Sequence, residues 1–116
     1  MMKKFAFLAL SLCATLALGA DMKVYKSPTC GCCGNWANAM QKAGFSEETI
    51  KVDDMVKVKK EFHVPLELSS CHTAIVDGYV IEGHVPADEV KRLLELKPKD
   101  AVGIAVPGMP MESQGM

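Results

Sequence analysis

The chain has 116 residues, 49% of them hydrophobic and 23% charged, with a formal net charge of −1. That is the length of one small domain, too apolar for a disordered chain and lacking the basic excess that nucleic acid demands. Aromatic residues make up only 6%, whereas 8 Met and 5 Cys make sulfur the unusual component.

Lys3 and Lys4 open the chain, Phe5 to Leu18 is apolar apart from Ser11 and Thr15, and small residues follow at Ala17, Gly19 and Ala20. A positive start, an apolar run short for a membrane span and a small-residue exit are the parts of a secretory signal. Residues 1–20 are therefore read as a signal peptide. Residues 21–116 are read as a single exported domain with a Met-containing C-terminal tail and no membrane attachment after cleavage. Losing Lys3 and Lys4 takes the basic count from 13 to 11 against 14 acidic residues, a net of −3. Cys13 is lost too, leaving Cys30, Cys32, Cys33 and Cys71.

Met22 to Lys26 alternates and stops at Ser27-Pro28, which predicts a strand. A Gly- and Cys-rich turn over Thr29 to Gly34 follows. Trp36, Met40 and Ala43 then recur at helical spacing before Gly44. Thr49 to Asp53 predicts a second strand, and Asp53 or Asp54 caps a helix carrying Met55, Val58 and Phe62, ended by Pro65. Thr73 to Val76 and Tyr79 to Glu82 flank Asp77-Gly78, the signature of a two-residue hairpin loop. Pro86, Asp88 and Glu89 open a last helix with Val90, Leu93 and Leu94 as its buried stripe, closed by Pro98. Val102 to Val106 can add a short strand, and an irregular tail follows. The order β-α-β-α-β-β-α predicts an α/β domain of thioredoxin-like type with a mixed four-stranded sheet.

Between the first strand and first helix stands Cys30-Gly31-Cys32-Cys33, a Cys-x-x-Cys with a third cysteine inserted. A helix N-terminus favours thiolate, the form that attacks disulfides and binds metals. In the hairpin, Val76 opposite Tyr79 makes paired numbers sum to 155, so Cys71 falls opposite His84 with Cβ atoms about 5 Å apart. Alternation then puts Cys71, Thr73, Glu82 and His84 on one face and His72 on the other. In this topology the loop cysteines converge on Cys71 and His84. Four exported thiols would by default form two disulfides, but adjacent Cys32 and Cys33 make such pairing awkward. Thiolates with imidazole suit Cu(I) or Zn(II), and Met109, Met111 and Met116 in the tail tilt the choice towards copper. Trp36 reads as core beside the sulfurs. His63 reads as a surface residue at a helix end, and Glu82 as either a solvated residue or a partner of His84.

Several segments together resemble the CopG-type copper-resistance proteins, which are unrelated to the DNA-binding repressors of similar name. These are Tyr25 to Cys33, Ser70 to Ala74, Asp77-Gly78-Tyr79, Glu82 to Pro86 and Ala105 to Pro110. The resemblance runs from about Met22 to Met116. It implies a periplasmic protein of thioredoxin-like fold that holds copper through Cys30, Cys32, Cys33 and Cys71. The expected function is sequestration of Cu(I), with room for more than one ion, in copper resistance, with copper redox conversion as an added activity. His84 is expected as a further ligand, with His72, Met109 and Met111 as lesser candidates. Other periplasmic copper-handling proteins are the expected partners. Two readings of different kind stay open: a thiol–disulfide oxidoreductase using Cys30 as nucleophile and Cys33 as resolving thiol, and a zinc or iron–sulfur protein on the same scaffold.

Overall fold

A computed structural model of the chain describes residues 20–107. Residues 1–19 of the expected signal segment 1–20, Cys13 among them, and the tail methionines Met109, Met111 and Met116 lie outside the described residues. The elements run β1 (Asp21–Lys26), α1 (Gly31–Lys42), β2 (Ser46–Lys51), α2 (Met55–Glu61), a 3-10 turn (Leu66–Leu68), β3 (His72–Val76), β4 (Tyr79–Glu82), α3 (Ala87–Leu96) and β5 (Gly103–Ala105). They form an α/β fold with three α-helices and a mixed five-stranded sheet ordered β2-β1-β3-β4-β5. The β1–β2 and β4–β5 pairs are parallel, and β1–β3 and β3–β4 are antiparallel. The expected four-stranded sheet is thus one strand short. Gly103–Ala105 is too brief to show alternation, and its strand character comes from pairing with Val80 to Glu82.

The hairpin has the expected register, Val76 opposite Tyr79 through Thr73 opposite Glu82. Asp77 (φ 49°) and Gly78 (φ 82°) both take positive φ, as a two-residue turn matched to strand twist requires. Three boundaries differ from expectation. β2 begins at Ser46 and ends at Lys51, because it follows β1 residue for residue from Asp21 to Lys26. The first helix begins at Gly31, so the presumed turn contributes Cys32 and Cys33 to its first coil. α2 stops at Glu61, before Pro65, with the chain turning through His63 at φ 58°.

The sheet has two unlike faces. Met22, Val24, Ala74, Val76 and Ile81 point to one face, where Trp36 and Met40 of α1 and Val90, Leu93 and Leu94 of α3 complete the core. Alternation turns Tyr25, Thr73, Val80 and Glu82 to the other face. There α2 lies across the sheet, with the Tyr25 and Phe62 rings 5.6 Å apart. Among the described residues no helix is long and apolar enough to cross a membrane.

Candidate metal centre

Cys30 is the N-cap of α1, and Cys32 and Cys33 sit in its first turn. This places three sulfurs at the positive end of a twelve-residue helix dipole. Cys30 and Cys33 are joined as a disulfide, whereas Cys32 and Cys71 are free thiols, each half-buried. The default of two disulfides is therefore replaced by one. The Cys30 and Cys32 sulfurs are 3.7 Å apart, and the sulfurs of Cys30, Cys32, Cys33 and Cys71 all lie within 4.8 Å of one another. The expected convergence of the loop cysteines on Cys71 is present.

A second group shares Cys71. One sulfur or nitrogen from each of Cys71, His72 and His84 also falls within 4.8 Å of the others, and Cys71 Sγ is 3.4 Å from His72 Nδ1. Both histidines are buried, and their rings meet edge to face at 5.1 Å. His84 does not keep the register expected for it opposite Cys71. The ladder continues one step past Glu82, where Gly83 N–H donates to His72 O at 3.1 Å. Gly83 then takes φ 81°, and Val85 N–H closes back on Gly83 O at 2.9 Å. That turn lifts His84 out of the ladder and swings it to the His72 side of the sheet, as an interrupted strand re-aims its next side chain. His72, expected to point away, is thus part of the cluster.

The pocket around the imidazoles is built from core residues. Trp36 is fully buried, donates its Nε1–H to Val85 O at 2.8 Å and stacks on His72 at 4.4 Å between ring centroids. It is both core and cover for the cluster. Burial lowers the His72 pKa to about 3, with His84 and then Lys59 adding positive charge against protonation. The ring is therefore neutral at physiological pH, the form that ligates metal. Its Nε2 is buried with no hydrogen-bond partner among the described residues, a state that costs free energy unless another group takes the lone pair or proton. Burial likewise raises the Cys71 thiol; the Ser70 hydroxyl pulls it back and nearby Cys32 raises it further. Such a thiol gives up its proton when a cation arrives.

Glu82 and His63 lie elsewhere. Glu82 faces the opposite side of the sheet from His84, where it is 2% exposed and bound to Thr73, Lys59 and the Ser70 backbone. The sequence reading missed Lys59, whose ammonium reaches both Thr73 and Glu82. An isolated Lys in a basic helix gives no sign of burial, and only the alternation of Thr73 and Glu82 onto one face hinted at a polar pair. His63 is exposed and lines a pocket of about 180 Å³ on that same far face, with Phe62, Leu68 and Ile104. The tail candidates Met109 and Met111 lie outside the described residues.

The donor set can hold a thiophilic metal ion: clustered cysteine sulfurs, and a neutral imidazole with an unengaged nitrogen. Comparison with known proteins agrees in kind. A family profile described as a protein of unknown function, DUF411, matches residues 68–116. A comparison with curated proteins finds no match. Two solved structures, forms 2 and 1 of a copper resistance protein CopG, are each 40% identical over 84% of this chain and 77% of theirs, with TM-scores of 0.80 and 0.79. The chain belongs to the family of these CopG proteins.

Proposed function

We propose that this member of the CopG family is a periplasmic copper-binding protein that sequesters Cu(I) in copper resistance. The observation that carries this reading is the convergence of four cysteine sulfurs within 4.8 Å, sharing Cys71 with the buried pair His72 and His84. Reduction of the Cys30–Cys33 bond frees the full set of thiols. Cys30, Cys32, Cys33 and Cys71 would then hold Cu(I), with His84 and His72 on the imidazole side and Met109 and Met111 as thioethers from the tail. Because Cys71 belongs to both groups, its thiolate can bridge, and the cluster has donors for more than one ion. Copper held by these soft donors would supply one-electron chemistry, so conversion between copper oxidation states, with the electron exchanged with a periplasmic redox partner, is proposed as an added activity of the same site. The β-α-β order with cysteines at the first helix start supports a thioredoxin-like assignment. Residues 1–20 are the proposed export signal, residues 21–116 the mature domain, and periplasmic copper-handling proteins its partners.

A second reading is favoured by one observation, the bond between Cys30 and Cys33. As a thiol–disulfide oxidoreductase the protein would attack through Cys30 and resolve through Cys33, and Cys32, Cys71 and the histidines would be dispensable. The test is an anaerobic competition titration of the reduced mature protein, with a chromophoric Cu(I) chelator and with Zn(II). Copper binding lost in Cys32→Ser and in Cys71→Ser supports sequestration. Preference for zinc, or copper binding indifferent to both substitutions, contradicts it.

A further inference from the structure

On the sheet face away from the cysteines, four residues form a closed polar network. Glu82, 2% exposed, accepts from Thr73 Oγ1 at 2.6 Å through Oε1. Its Oε2 accepts from the Ser70 backbone N–H at 2.7 Å and from Lys59 Nζ, which also donates to Thr73 Oγ1 at 3.0 Å. A buried ion pair seldom adds net stability over well-packed apolar residues, so its retention calls for a geometric reason. The location supplies one. Ser70 immediately precedes Cys71, and it sits in a loop that no sheet pairing holds until His72. The Glu82 carboxylate fixes that loop from beneath by its backbone N–H. Gly83, next to Glu82, lets that loop pack close: a Cβ there would fall 2.8 Å from Ser70 Cβ. One short stretch of β4 thus anchors the segment carrying Cys71 and, two residues after Glu82, presents His84.

We propose that Glu82 is a positioning residue that acts through the Ser70 backbone N–H to hold Cys71 in register with Cys32, His72 and His84. This rests on the copper reading for its purpose, but the hydrogen bond and its effect on Cys71 are properties of the metal-free protein. The carboxylate's hydrogen bonds described above go to Thr73, Lys59 and the Ser70 backbone, not to the cluster's sulfurs. It transmits position across the sheet, and the Lys59 ammonium and Thr73 hydroxyl keep its second oxygen and its charge satisfied.

The test compares two double variants that both lack the ion pair. Lys59→Met/Glu82→Leu removes the carboxylate that accepts from the Ser70 N–H, whereas Lys59→Met/Glu82→Gln keeps a side-chain oxygen there. Each is reduced, freed of metal and checked by thermal melting. Alkylation of Cys71 relative to Cys32 by iodoacetamide is then followed by mass spectrometry. The Leu pair is expected to alkylate Cys71 at least about fivefold faster than wild type, and the Gln pair near the wild-type rate, because a loosened segment opens locally. Should the Leu pair fail to fold, Glu82→Asp, whose carboxylate is one methylene shorter and so drawn back from Ser70, takes its place with the same expectation. Equal rates in the Leu (or Asp) and Gln variants would overturn the proposal, since a role in stability alone predicts that equality. Cu(I) affinity is measured in parallel, with a drop of about tenfold expected for the Leu pair only. If wild type itself binds no Cu(I), the functional reading fails, and the alkylation rates still decide the role of Glu82.

Discussion

Gly83→Ala tests the turn that brings the two halves of the site together. Gly83 holds φ 81°, and a Cβ on it would lie 2.5 Å from Val106 O and 2.8 Å from both Ser70 Cβ and Ser70 Oγ. Positive φ costs an L-residue about 1–2 kcal/mol, and forcing a methyl into filled space adds about 1–3 kcal/mol. The sum is about 2–5 kcal/mol. A domain of this size loses about 4–8 °C in Tm per kcal/mol, so the fall should be at least about 8 °C. The atoms that must give way are the Val106 backbone just after the last strand and the residue before Cys71, so relaxation also moves Cys71 against His84. Circular dichroism melting of metal-free protein reads the first effect, and Cu(I) affinity in chelator competition reads the second. Gly34→Ala is the control, since a Cβ there meets nothing within 4 Å inside α1. It should stabilise by about 0.5–1 kcal/mol. A Gly83→Ala protein that melts like wild type would refute the reasoning.

His72 is held neutral with a pKa of about 3 against an ordinary 6.5, so the unfolded chain takes up its proton first as pH falls. The metal-free protein should therefore lose up to about 1.4 kcal/mol per pH unit on going down from 6.5 towards 3, measured by urea unfolding, and His72→Gln should flatten that slope. His72→Ala and His84→Ala should each weaken Cu(I) binding while His63→Ala leaves it unchanged; an effect of His63 would place the site on the wrong sheet face. Trp36→Phe removes the donor to buried Val85 O and should cost about 1–3 kcal/mol in chemical denaturation. Protein oxidised at Cys30–Cys33 should bind Cu(I) at least about tenfold more weakly than reduced protein, because two of four thiols are withdrawn. Equal affinity would show that Cys32, Cys71 and the histidines suffice.

The hairpin was readable because Asp77-Gly78 sets a register without help from the rest of the chain, and Thr73 to Glu82 follow it. The meeting of the helix-start cysteines with Cys71 followed from element order. What failed was the extrapolation of that register to His84. Glycine at position 83 permits the turn but does not announce it, and the close approach of Val106 and Ser70 that makes the turn necessary is a tertiary fact. The same gap hid the neighbours of His72, whose contact with Trp36 from α1 is likewise tertiary. Lys59 and Glu82 were unreadable as a pair because residues 23 apart meet only once α2 packs on the sheet face that carries Glu82. β5 was uncertain because three residues carry too little pattern to declare a strand.

Copper K-edge X-ray absorption on the anaerobically reduced, Cu(I)-loaded mature protein tests the central claim most directly, since it reads the atoms around the metal. A first shell dominated by sulfur, with a minor nitrogen contribution that decreases in His84→Ala, is the predicted result. A shell of nitrogen and oxygen alone, unchanged in Cys71→Ser, would contradict the assignment of the cysteine cluster as the copper site.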